Sequence, residues 1–124
     1  MTWGVGARRF GKGRRKVRGE LNRTEKAYEA HLSQLCAAGE VSWWKYEGIN
    51  FELAPKTFWR PDFVVLNSTT MELEVHEVKA KWKKEIGPHI EAAGNVKIKV
   101  FAELYPLRCF VVWQEKGNWQ KKEY

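Results

Sequence analysis

Aspartate is almost missing from this chain: Asp62 is the only one among 124 residues. Cysteine is nearly as scarce, and Cys36 and Cys109 stand far apart in apolar surroundings, without the short paired spacing of zinc ligands. A disulfide scaffold is therefore not expected; two buried free thiols in a reducing cytoplasm are. No apolar run approaches the roughly 18 residues of a membrane span, so no membrane partner is expected. The Arg-rich N-terminus lacks the apolar segment that follows in a secretory signal, and its glycines and lack of serine argue against an organellar transit peptide. Internal repeats are absent. Residues 1–19 contain no acid of any kind.

That last absence shapes the charge. The formal net charge is +7. Seven of the 22 Lys and Arg residues fall in the first 18 positions: Arg8, Arg9, Lys12, Arg14, Arg15, Lys16 and Arg18. The other 15 face 15 Asp and Glu, so a neutral body carries a basic, glycine-interrupted arm. Such an arm suits a polyanion, most often nucleic acid, or else a solubilising tail or localisation signal. The body, 44% apolar over the whole chain and with seven Trp, belongs to a folded protein. Its length predicts one domain over residues 20–124, preceded by a flexible arm over 1–19.

Along the body, Asn22-Arg-Thr-Glu25 reads as a capping box opening a helix over about 23–38, with Tyr28, Leu32 and Leu35 at helical spacing and Gly39 as its stop. Glu25 has two readings: a cap, or an acid at the inner end of a core-facing stripe. Val41–Glu47 and Ile49–Leu53 read as two strands or one bent at Gly48. Trp43, Trp44 and Tyr46 are expected on the sheet, with a base-stacking role as the alternative. A hairpin is predicted from about Phe58 to Ala80, turning at Asn67-Ser-Thr-Thr70. A helical turn is predicted from Pro88 to Ala93. A second helix follows Gly94-Asn95, its core stripe expected at Val96, Val100 and Leu104. An interior strand follows over Leu107–Gln114, then a short edge strand near Trp119. The order helix, strands, helix, strand predicts an α/β fold, an α+β sandwich around a mixed sheet.

The chemistry concentrates in the hairpin. Glu77 and Lys79 share one face of the second strand, ~7 Å apart, and pairing brings Asp62 beside them. Two carboxylates suffice to hold Mg²⁺, which prefers oxygen ligands, and Mn²⁺ would substitute. Such a cation activates water and offsets charge on a phosphoryl group. Lys79 would stabilise the added negative charge of the transition state. An ordinary cross-strand salt bridge has the same sequence pattern. Lys81, Lys83 and Lys84 then form either a solvated exit or a phosphate-contacting rim.

Arg60-Pro61-Asp62-Phe63 followed by Glu77-Val78-Lys79 resembles the signature of the PD-(D/E)XK nuclease superfamily. Val75-His-Glu-Val-Lys-Ala80, Asn22-Arg-Thr-Glu-Lys-Ala-Tyr28 and Lys97-Ile-Lys-Val-Phe101 with Tyr105-Pro106 resemble, within it, small phage-encoded endonucleases and Holliday junction resolvases. The resemblance spans about residues 20–113. It implies a restriction-endonuclease-like core of order αβββαβ and a Mg²⁺-dependent DNA endonuclease, selective for branched DNA and acting as a homodimer in the (host) cytoplasm. It further implies Asp62, Glu77 and the Val78 carbonyl as metal ligands, Lys79 as the catalytic lysine, Glu25 as a helix acid that holds a metal or its water, and Lys97 as a phosphate contact. A nuclease of the same core acting on linear, nicked or single-stranded DNA, and a non-catalytic nucleic-acid-binding protein, remain as alternatives. Glu47 and Glu74 have no assigned role. His76 should face away from the motif and pack, and an exposed Trp on an edge strand is the candidate dimer surface.

Overall fold

A computed structural model describes residues 21–80 and 90–124. The basic arm, the Lys81–Lys84 segment and the start of the turn expected at Pro88 lie outside the described residues.

The first helix, α1 (Arg23–Ala37), starts as its sequence predicts. The Asn22 side chain accepts from the Glu25 N–H at 2.8 Å, and Glu25 Oε1 accepts from the Asn22 N–H at 3.0 Å. The chain leaves the helix through Gly39, whose φ of 81° is a region that favours glycine. Strands β1 (Val41–Tyr46), β4 (Phe63–Asn67), β5 (Leu73–Val78), β6 (Arg108–Glu115) and β7 (Asn118–Glu123) form one mixed sheet in the order β1-β4-β5-β6-β7. Only β5 and β6 are parallel, and helix α2 (Ala92–Leu104) lies between them in sequence. The β6–β7 turn has positive φ at Lys116 and Gly117, the backbone twist a tight hairpin requires.

The three inner strands, β4, β5 and β6, are buried on both faces. Phe63, Val65, Val78, Phe110 and Val112 pack with Tyr28 and Leu32 of α1. Val64, Val75, Cys109 and Val111 pack on the other side with Ile98 and Phe101 of α2. The result is an α+β sandwich, with a mixed five-stranded sheet between two helices.

The sequence expectation needs correction in three places. The run Phe58–Leu66 is not one strand. It breaks at Arg60-Pro61-Asp62, and β3 (Thr57–Trp59) pairs instead with β2 (Phe51–Ala54) in a separate hairpin on the α2 side. Proline lacks the N–H a continuous ladder needs, which explains the break. Helix α2 runs through Gly94 and Asn95 rather than starting after them. Its buried stripe is Ile98 and Phe101, with Tyr105 half-buried, whereas Val96 and Leu104 are 59% and 53% exposed. Phe51, Trp59, Phe101 and Tyr105 form an aromatic cluster with ring centroids 4.8–5.1 Å apart, and this cluster sets the helix's rotation. Both cysteines are free, but only Cys109 is buried; its thiol is pushed up to about 12, first by desolvation.

Candidate functional site

At one end of the sheet the β4–β5 ladder gives way to side chains. The last paired residues are Phe63 and His76. Beyond them the Asp62 N–H donates to Glu77 Oε1 at 3.0 Å, and the Val78 N–H donates to Asp62 Oδ2 at 2.8 Å. The two carboxylates thus replace main-chain bonds where Pro61 interrupts the strand. On its other edge β5 stays joined to β6, since the Lys79 N–H donates to the Val112 carbonyl at 2.9 Å. In a strand a residue's N–H and C=O point to the same edge, so the Val78 carbonyl faces the Asp62 side.

Glu77 and Lys79 share a face as expected, with Nζ 3.3 Å from Glu77 Oε2. The same Nζ lies close to the first turn of α2, 4.0 Å from where a Cβ on Gly94 would sit. From the other helix, α1 brings Glu25. Its carboxylate accepts from the Asn22 N–H and from the Tyr46 hydroxyl, each at 3.0 Å, and lies within hydrogen-bonding reach of Asp62. The cap and the site are therefore one residue serving two purposes. Three acids from α1, from the entry to β4 and from β5 meet around Asp62, each with less than a tenth of its surface exposed.

Their electrostatics follow from that crowding. Asp62 is raised well above the ordinary carboxylate range, first by desolvation, then by the charges of Glu77 and Glu25. Desolvation also raises Glu77, against the opposing pull of Lys79. Three formal negative charges gather around Asp62, and the Lys79 ammonium pairs with Glu77. The oxygen-only donor set and this net charge suit a hard divalent cation. Among the described residues, however, no group of three or more His, Cys, Asp or Glu side chains is arranged to hold a metal ion.

On the opposite face of β5, His76 and Glu74 point toward α1. His76 Nε2 lies 2.9 Å from Glu74 Oε1, and His76 Nδ1 lies 2.6 Å from the Tyr28 hydroxyl. Glu74 also accepts from the Asn67 side chain at 3.1 Å. Burial keeps the Tyr28 phenol protonated and lowers His76. A neutral His76 then donates to Glu74 and accepts from Tyr28. This network ties α1 to β5 one helical turn below Glu25 and one residue before Glu77. Packing is thus only part of what His76 does, and Glu74 is placed in the same network.

Other expected site residues are placed as follows. Lys97 reaches the Phe58 carbonyl at 3.2 Å, so it tethers α2 to the small hairpin. Glu47 adjoins the site through its backbone, its N–H donating to the Asp62 carbonyl at 2.7 Å with a φ of 48°. Trp119, on edge strand β7, is half-buried, with its ring 4.8 Å from Tyr28 and 5.9 Å from His31. Among the described residues the exposed tryptophan on an edge strand is Trp43, on β1. Sequence reading missed Tyr46 as a partner of Glu25, and Tyr28 as a link to β5. The alternation of β1 puts Tyr46 on the same face as Trp44, the only available signal for the first; nothing in the sequence points to the second.

No protein-family model matches the chain, and no curated protein or solved structure matches it. Among the described residues no helix is long and apolar enough to cross a membrane.

Proposed function

We propose that this chain is a divalent-metal-dependent DNA endonuclease that hydrolyses phosphodiester bonds, selects branched DNA such as four-way junctions, and acts as a homodimer making paired cuts. One observation carries the reading: Glu25, Asp62 and Glu77, delivered by three different elements, crowd around Asp62 at a splayed sheet end, with Lys79 paired to Glu77. Burying three acids together is unfavourable for folding alone, and such perturbed groups concentrate at functional sites. The topology adds support. With the β2–β3 hairpin set aside, the remaining order α1, β1, β4, β5, α2, β6 is compatible with the αβββαβ order that the resemblance implies.

In this reading Asp62 and Glu77 hold Mg²⁺ or Mn²⁺, with the Val78 carbonyl on the same side. The bound cation supplies activation of water and neutralisation of phosphate charge. Lys79 offers its ammonium to the negative charge that builds on the phosphate oxygens. Glu25, held by the Asn22 amide and the Tyr46 hydroxyl, orients the attacking water. The arm's arginines and lysines, with Lys81, Lys83 and Lys84, contact the DNA backbone.

The test is cleavage of a four-way junction and a sequence-matched linear duplex in Mg²⁺ or Mn²⁺. The wild-type chain should cut the junction in preference. Asp62→Asn and Lys79→Ala should each lower cleavage by at least a hundredfold while binding in metal-free buffer stays within about threefold. Full nicking by Asp62→Asn would remove the proposal. Equal cutting of both substrates would leave the hydrolase and remove its shape selectivity. The internal bonds made by both carboxylates and the Glu77–Lys79 pair favour a second reading, a non-catalytic DNA-binding protein with a structural ion cluster. That reading predicts binding with no cleavage in either metal.

A further inference from the structure

On the α1 side of the sheet a cleft of about 400 Å³ opens between α1 and the β6–β7 hairpin. Its size is that of a site for one small ligand. Two alanines of α1, Ala27 and Ala30, line one wall and leave it free of bulky side chains. Three amides, Gln34, Gln114 and Asn118, surround it, and the rings of His31 and Trp119 complete it. None of the lining residues is Asp, Glu, Lys or Arg. The chemistry is thus aromatic and neutral-polar, which disfavours a free phosphate or a metal ion and favours a flat, uncharged group with several donors and acceptors on its rim. Burial lowers His31, so near neutral pH it keeps one ring donor and one ring acceptor.

The location narrows the ligand. Strands β5 and β6 run parallel, so the end of β6 and its turn to β7 lie at the same end of the sheet as Glu77 and Lys79. A DNA strand passing the acid cluster can therefore extend toward this cleft. We propose that the cleft receives an unpaired nucleobase of bound DNA, which stacks on Trp119 while the Gln34, Gln114 and Asn118 amides and His31 meet its edge. Stacking on a ring tolerates any base, and amides can turn to offer either a donor or an acceptor. The cleft thus recognises the absence of pairing rather than a sequence. The inference rests on the reading that the chain binds DNA, but does not need it to cut DNA.

The test uses the full chain in metal-free buffer. Affinity is measured by fluorescence anisotropy for a duplex with one bulged nucleotide and for the continuous duplex. Ala30→Leu fills the cleft from an exposed helical position where leucine is well tolerated, and Gln34→Ala removes one amide at another exposed position. The wild type should prefer the bulge, and Ala30→Leu should reduce that preference by roughly tenfold, the scale of one base–aromatic stack. Affinity for the continuous duplex should stay within about twofold in both variants. Adenosine at millimolar concentration should shift the Trp119 indole N–H signal, assigned by Trp119→Phe, and Ala30→Leu should abolish the shift. An unchanged bulge preference in Ala30→Leu, or no adenosine shift in the wild type, overturns the proposal. If bulge preference depends on Ala30 but no metal supports cleavage, the base site stands and the endonuclease reading falls. If cleavage occurs and Ala30→Leu keeps its bulge preference, the base site alone falls.

Discussion

Asp62 is held in a form that opposes its own ionisation. Its carboxyl accepts one main-chain N–H, yet lies buried against Glu77 and Glu25, and burial with those charges raises it well above 3.8. The folded protein therefore binds this proton more tightly than the unfolded chain does. The sign follows: stability from this group is present below pH 3.8 and is lost as pH rises through the folded value. An asparagine keeps an acceptor for the Val78 N–H and can donate toward Glu25, so Asp62→Asn should stabilise the metal-free protein. The gain should be on the order of 1 kcal/mol, roughly 4 °C in Tm. Thermal unfolding between pH 4 and 8 should show the variant's advantage growing with pH; a flat or negative difference would contradict the electrostatic account. Millimolar Mg²⁺ or Mn²⁺ should raise the wild-type Tm by offsetting the same repulsion. Most of that rise should vanish in Asp62→Asn, and no rise in the wild type would remove these acids as a cation site.

Among the elements, the joint between α1 and β5 decides whether the acids meet. Glu25 rides on α1 and Glu77 on β5, and the buried Tyr28–His76 bond is the polar contact that fixes one against the other. Tyr28→Phe keeps the ring contacts with Phe63 and Trp119 but leaves His76 Nδ1 without its donor. A loss of about 1–2 kcal/mol is expected, read as a lower urea midpoint at constant slope. Much of this element scale was readable in the sequence. The capping box of α1, the pairing that sets Asp62 beside Glu77, the interior β6 and the turn to β7 follow from local chemistry. The joint was not, because a Tyr–His bond across 48 residues leaves no periodic trace. The rotation of α2 was misread for a related reason: valine and leucine at helical spacing looked like a core stripe, but the aromatic cluster around Phe51 and Trp59 selects Ile98 and Phe101. The β2–β3 hairpin was hidden because Phe58 and Trp59 look like the start of β4 until Pro61 is given its full weight as a ladder breaker.

For the whole molecule, the charge separates along the sequence into two parts. Body charges balance, 15 against 15, so in the proposed reading long-range attraction to a polyanion would rest on the seven cations before residue 19. Local shape recognition would rest on the body: the acid cluster, Lys79 and the cleft beside β7. These contributions respond differently to salt. Each phosphate neutralised by a cation releases counterions, and the logarithm of affinity falls with log salt by about 0.9 per contact on duplex DNA. If all seven arm cations engage phosphates, deleting residues 1–18 should reduce the slope by about 6. Affinity at low salt should fall by several orders of magnitude, and far less at high salt, where the arm is already screened. The ratio of affinities for a four-way junction and a linear duplex should survive the deletion, because the arm adds a similar amount to each. Anisotropy titrations from about 50 to 300 mM salt on both substrates check this. An unchanged slope would mean the arm does not bind the backbone, and a lost ratio would transfer shape recognition from the folded body to the arm.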